Sequence, residues 1–178
     1  IDVFKKLATD QSVRVVTIGG NGKHFQAGAD LEWLKSIGKL SSEKNYEISK
    51  NTAEAIRGLT LFPKPTISLI HGGCFGGGTG IAAASDIVLA SKNSIFSISE
   101  ARWGVMAGII IPHLNKSINV RNVRRYALTC ERFDAYEAKR IGLVHEVCEE
   151  NEIEEKKNII VEQLLLSEPK AVALTKRR

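Results

Sequence analysis

The sequence predicts an α/β fold whose strands are joined by helical crossovers. Two observations carry this. Short β-branched runs, "VRVVTIGG" (13–20), "TISLI" (66–70) and "DIVLAS" (86–91), have the composition of buried strands. Between them lie longer stretches with apolar residues at helical spacing, and that alternation is the pattern of α/β domains.

In chain order, "IDVFKKLATD" opens in helical style and the Gly19-Gly20 pair ends the first strand. "NGKHFQAGAD" reads as a loop, and Leu31, Trp33, Leu34 and Ile37 then share one helical face. A long polar helix over 43–61 carries Ile48, Thr52, Ile56 and Leu59 on one side, and "FPKPT" breaks it. After the 66–70 strand comes "HGGCFGGGTG" (71–80), read as a loop, then "GIAAAS" as a small-residue helix and "DIVLAS" and "IFSI" as strands. "GVMAGIIIPHL" has no clear period, "RNVRRYALT" is helical, and "DAYEAKRIG" has an N-cap at Asp134 and a stop at Gly142. "LVHEVC" is a strand, 150–166 an amphipathic helix, and "SEPKAVALTK" a last helix with Pro169 near its first turn. Tyr126, Phe133 and Tyr136 are assigned to the core, and Asp86 to the start of its strand.

With 178 residues, 43% of them hydrophobic and 25% charged, the chain can bury one sizeable core. No apolar run is long enough for a membrane span. Cys74, Cys130 and Cys148 are odd in number and widely spaced, and His24, His71, His113 and His145 lack ligand spacing, so no metal site is expected. The net charge of +5 is compatible with anionic partners. Over 31–61, however, Lys35, Lys39, Lys44, Lys50 and Arg57 are offset by Glu32, Glu43, Glu47 and Glu54, with no aromatic platform between them, so nucleic-acid binding is not expected.

Six of the ten residues in "HGGCFGGGTG" are glycine. The phosphate-loop, dinucleotide and nucleophile-elbow patterns are all absent. What remains is close approach of backbone to a ligand, at a loop that runs into a helix with unpaired N–H groups. "HFQAGAD" (24–30) also follows a strand and enters a helix. Two such loops can each supply one N–H to a single carbonyl oxygen, which stabilises an oxyanion.

At these residues the chain resembles the crotonase (enoyl-CoA hydratase/isomerase) superfamily. The matching segments are "FQAGADLEWL", "PKPTISLIHGGCFGGGTGIAAASDIVLAS", "FSISEARWGVMAGI" and "YEAKRIGLVHEV", within 13–148. The resemblance implies a crotonase-like fold, a ββα-repeat spiral over 1–148 with N-terminal strands missing, and a helical tail over 149–178 that serves oligomerisation. It implies an acyl-CoA thioester substrate, with coenzyme A as part of that substrate and no separate cofactor, and a homotrimer or hexamer in the cytoplasm, or the mitochondrial matrix of a eukaryote.

By motif position, the N–H groups of Ala29 and Gly77 would hold the thioester oxygen, and Glu100 in "SISEAR" would be the proton carrier. The family's hydratases typically carry a second glutamate a few residues after the glycine loop, where this chain has Gly80. The activity implied is hydration of an enoyl-CoA, with a single-glutamate isomerase or a decarboxylase as alternatives. An RNA-binding role, known for some members, is a minor one. "ADLEWLK", "SEARWGV" and "RRYALTCERFDAYEAKRIGLVHEV" look most like the methylglutaconyl-CoA hydratase subgroup, whose substrate has a distal carboxylate. Arg102 and His113 are the cations available to meet it, although a structural ion pair and a packed loop are their rival roles. Ala27, Gly28, Asp30, Trp33, Leu34, Gly76, Gly78 and Gly80 complete the implied substrate contacts, Trp33 and Leu34 having core packing as their rival role.

Overall fold

The computed structural model describes residues 2–176. Helix α1 (Asp2–Thr9) leads into strand β1 (Val16–Gly19), then α2 (Leu31–Ile37) and α3 (Ser42–Thr60). Next come β2 (Thr66–Ile70), β3 (Gly73–Phe75), α4 (Gly77–Ala84), β4 (Ile87–Ser91) and β5 (Ile95–Ser97). After a 3-10 turn at Glu100–Trp103, the chain continues through α5 (Ile111–Thr129), β6 (Phe133–Asp134), α6 (Ala135–Ile141) and β7 (Glu146–Cys148). It ends with a 3-10 turn at Glu150–Glu152, α7 (Ile153–Leu165) and α8 (Pro169–Lys176).

The strands form two sheets. β1, β2, β4 and β7 are neighbours in that order, parallel throughout. β3, β5 and β6 form the second, with β3 parallel to β5 and β6 antiparallel at its edge. From β2 to β5, consecutive strands therefore alternate between the sheets. β2 leaves the first sheet, turns at His71-Gly72 and enters the second as β3 before α4 begins; β4 and β5 repeat the move before α5. This strand–strand–helix unit is the ββα spiral implied by the resemblance.

The core lies where the sheets face α4, α5 and α6. Phe96, Ile98, Leu114 and Ile118 are essentially inaccessible to solvent, as are Ile70 and Val88. α4 sits deepest because its residues are small: Gly78, Thr79, Gly80, Ala82 and Ala84 are all buried, so its backbone packs close to both α3 and α5. α7 lies against β2 and β4. Lys176 of α8 donates to Asp86 at 2.5 Å, and the Asp86 carboxylate also accepts from the Thr66 amide and hydroxyl, each at 2.8 Å. The residue read as a strand-start thus ties the last helix to the sheet.

Three local readings are corrected and one open segment is assigned. The glycine-rich stretch contains a strand, because Gly73–Phe75 pairs with β5. The open segment 104–110 is a series of turns, and the helix that follows from Ile111 bends at Asn119 (φ 62°), whose side-chain oxygen accepts from the Arg121 and Asn122 amides and so caps the second half. In "LVHEVC" only Glu146–Cys148 is strand; Leu143 and Val144 reach the core from the preceding loop. Tyr136 is 62% exposed, unlike Tyr126 and Phe133, whose rings pack together with centroids 4.3 Å apart.

Candidate active site

Three chain segments run side by side and end at one edge. Gln26 forms a parallel bridge with Cys74 of β3, and Cys74 pairs with Phe96 of β5. Beyond these aligned positions the chain reaches Ala29 on the first segment, Gly77 on the second and Glu100 on the third. Ligands gather at the carboxyl ends of parallel strands because loops of separate segments converge there. Register is what brings together three residues separated by 71 positions between the first and the last.

The first segment ends at Asp30, the N-cap of α2, whose carboxylate accepts from the Glu32 and Trp33 amides at 2.8 and 2.9 Å. The second passes through Gly76, whose φ of +53° and ψ of −121° suit only glycine, and enters α4 at Gly77. The Gly76 amide is used in the sheet, donating to Ser97 at 2.9 Å. Among the described residues, neither the Ala29 nor the Gly77 amide donates to a protein group. The Gly77 N–H is the first of its helix, where donors are unpaired and the dipole favours negative charge.

Glu100 starts the 3-10 turn after β5. Its side chain reaches back to the glycine loop: a Cβ on Gly76 would stand 3.1 Å from Oε1. The other oxygen, Oε2, is buried and has no hydrogen-bond partner. Burial raises the Glu100 pKa above the usual carboxylate value, outweighing the lowering effect of the backbone amides of Glu100 and Ser99.

These groups border one cavity of about 290 Å³. Of the residues to which the resemblance assigns site roles, Ala27, Gly28, Ala29, Trp33, Leu34, Gly76, Gly77 and Glu100 line it. Its apolar wall adds residues that sequence reasoning did not single out for the site: Ile48 and Ile56 from α3, and Val105, Met106, Ile109 and Ile110 from the turn before α5. The signal that marks the last four is the apolar run "GVMAGIII", too hydrophobic for a plain surface turn. Glu100 is the only charged residue on the lining among the described residues.

Five implied contacts do not line the cavity. Asp30 is spent on its cap, and the Gly78 amide donates to the Gln26 side chain at 3.1 Å. Gly80 is covered by Ile110, whose Cγ2 lies 2.1 Å from where a Cβ would stand. Arg102 projects from the exposed face of the 3-10 turn. His113 bonds the Thr60 hydroxyl at 2.9 Å. Among the described residues no group of three or more His, Cys, Asp or Glu can hold a metal, and no helix is long and apolar enough to cross a membrane.

Two free amides and one desolvated carboxyl group around an apolar cavity can stabilise an oxyanion while a proton moves nearby. A ββα spiral carrying such a site defines the crotonase class of α/β proteins. Comparison with known proteins agrees. The enoyl-CoA hydratase/isomerase family model matches residues 1–178, and the chain belongs to that family. It is 34% identical to a peroxisomal Δ(3,5)-Δ(2,4)-dienoyl-CoA isomerase of Arabidopsis thaliana, the match covering 97% of this chain and 66% of the relative. It is 32% identical to a short-chain-enoyl-CoA hydratase of Clostridium acetobutylicum, over 98% of this chain and 67% of that one. The crystal structure of an enoyl-CoA hydratase from Shewanella pealeana superposes with a TM-score of 0.95 at 32% identity, covering 98% of this chain and 65% of that one. The chain thus spans about two thirds of the length of these relatives.

Proposed function

We propose that this chain forms the catalytic part of an enzyme that shifts the double bond of an enoyl-CoA, using Glu100 as its single acid–base. The observation that carries this reading is that Ala29 and Gly77, whose amides have no protein acceptor among the described residues, line one cavity with Glu100. The thioester oxygen would sit between the two amides. Glu100 would take a proton from one carbon of the acyl chain and return it to another. The intermediate is an enolate whose charge rests on the thioester oxygen, and each preorganised donor there is worth about 3–4 kcal/mol in the transition state. Water exclusion by the apolar wall strengthens those bonds.

Two features favour double-bond migration over hydration. Gly80 supplies no second carboxylate, and Ile110 occupies the space it would use. Ile109, Ile110 and Val105 offer nothing to orient an attacking water. Hydration is the second reading, and one observation favours it: the unpartnered Oε2 of Glu100 can accept a bond from a water. For the acyl group, we propose an apolar chain. A distal carboxylate such as that of methylglutaconyl-CoA would find no cation on the lining among the described residues, where Arg102 and His113 lie outside it. Decarboxylation and RNA binding gain no support from this geometry.

Incubating the protein with 2-enoyl-, 3-enoyl- and methylglutaconyl-CoA tests the proposal, with products identified by mass, by chromatographic retention against both isomers and by the absorbance of the conjugated enoyl thioester. A shifted double bond without change of mass is expected. Addition of one water would select hydration, and no product from any of the three would remove the enzymatic reading.

A further inference from the structure

We propose that Gln26 is a positioning residue that sets the spacing of the two oxyanion amides. This rests on the acyl-thioester reading above. Gln26 Oε1 accepts from the Gly28 amide at 2.8 Å and from the Gly78 amide at 3.1 Å. Gly28 immediately precedes Ala29, and Gly78 immediately follows Gly77. One oxygen, with one lone pair for each loop, therefore ties together the peptides next to both free donors. Among the described residues no other side chain accepts from both loops.

The seat of this side chain is fully determined. Its Nε2 donates to the Gly28 carbonyl at 3.1 Å, which fixes which end of the amide faces the two N–H groups. Its own amide donates to Gly73 at 3.1 Å, and its carbonyl accepts from Phe75 at 2.9 Å. On the far side, a Cβ on Gly78 would come within 2.9 Å of Oε1 and 3.0 Å of the Gln26 Cβ, so a glycine is needed to let the side chain through. The loops it joins contain Gly28 (φ +103°) and Gly76 (φ +53°), backbone that has little stiffness of its own. Donors contribute to a transition state only if their spacing is fixed before charge develops. The Gln26 cross-link supplies that constraint without touching the substrate.

The test uses a dimethylaminocinnamoyl-CoA thioester, whose absorption band moves to longer wavelength when its carbonyl oxygen is polarised by hydrogen bonds. Wild-type protein should bind it with a red shift. Gln26→Met keeps the volume and removes the acceptor. It should bind the thioester with similar affinity, lose most of the red shift, and lower kcat by about 10–100-fold with KM little changed. A full red shift and full kcat in Gln26→Met would overturn the role of Gln26 and leave the thioester site intact. No red shift in the wild type would overturn the thioester reading and the inference with it. Should Gln26→Met fail to fold, amide hydrogen exchange on the wild type alone decides. Gly28 and Gly78 should exchange slowly without ligand, whereas Ala29 and Gly77 should slow only when the thioester is added. Equal exchange of all four in the free protein would refute the cross-link.

Discussion

Ile110 fills the space that any side chain at Gly80 would enter. Its Cγ2 lies 2.1 Å and its Cβ 2.7 Å from the position of a Cβ at residue 80, and both residues are buried. Glycine at this position is thus a packing requirement of this chain as well as the loss of a carboxylate. Gly80→Ala should destabilise the protein by about 1–3 kcal/mol through overpacking. In an Ile110→Gly background the same change should cost much less, giving a favourable coupling energy in a double-mutant cycle of urea midpoints. Additive effects would mean that the two residues do not compete for one space.

Glu100→Gln separates catalysis from stability. Removing the proton carrier should lower kcat by about 10²–10⁴-fold. Stability should move the other way. Burial raises the folded-state pKa of Glu100 above its unfolded value. Between those two values the folded protein holds more protons than the unfolded chain, so the group's contribution declines as pH rises through that window. Glu100→Gln should therefore be more stable than wild type at pH 7 and equal to it near pH 4, measured by urea unfolding at both. A variant less stable than wild type at pH 7 would contradict the desolvated setting.

Gly76→Ala should damage activity more than stability. A φ of +53° with ψ of −121° strains any L-residue by about 1–3 kcal/mol. The new methyl group would also meet Glu100 Oε1 at 3.1 Å and push the carboxyl group from its seat beside Gly76. We expect a modest drop in Tm and a loss of kcat of at least about tenfold, with substrate binding retained.

How far the site was legible before the structure depends on what each residue is used for. Two strand-to-helix loops rich in small residues are legible locally, whereas the choice of Ala29, Gly77 and Glu100 within them and beyond rests on the resemblance to the crotonase superfamily. The α/β class followed from hydrophobic periodicity. The alternation of β2 to β5 between two sheets did not, since β3 is only three residues long and lies inside a glycine-rich stretch. Gln26 escaped notice because its partners, Gly28 and Gly78, are backbone groups brought together by the register of Gln26 on Cys74, a long-range pairing. Arg102 and His113 were drawn toward the substrate by charge alone. Their actual surroundings, solvent and the Thr60 hydroxyl, depend on helix orientations that no motif encodes.

Away from the site, Tyr126 and Arg140 converge on Glu137. The Tyr126 hydroxyl donates to the carboxylate, and Arg140 donates to both of its oxygens at 2.5 and 2.7 Å. The Arg140 bonds, with help from Tyr126, hold the Glu137 pKa down to about 2, and desolvation together with Glu137 pushes the Tyr126 phenol up to about 12. A depressed folded-state pKa gives stability that is present above the unfolded value and lost as pH falls toward 2. Glu137→Gln should thus lower stability at pH 7 and flatten its acid dependence, and Tyr126→Phe should cost about 1.5 kcal/mol. Acid titration followed by circular dichroism reads both; an unchanged acid limb in Glu137→Gln would exclude this cluster.

The cavity wall makes a last prediction, about the acyl chain. Trp33, Leu34, Ile48, Ile56, Met106 and Ile109 line it, and among the described residues Glu100 is its only charged one. An apolar chain gains about 0.8 kcal/mol for each CH₂ moved from water onto such a surface. A terminal carboxylate gains nothing there and must be desolvated without a partner, beside a glutamate of like charge. At equal length, a thioester with a methyl terminus should therefore have a Kd at least about tenfold lower than one ending in a carboxylate, an interval of about 1.4 kcal/mol. Thr52, on α3 at the rim of the same cavity, offers the reciprocal control. Thr52→Lys introduces the missing cation and should narrow that gap by improving the carboxylate ligand alone, as read by calorimetric titration. Equal affinities in the wild type would show that the acyl terminus lies outside this cavity, and the chemistry proposed for Glu100 would then need a different substrate pose.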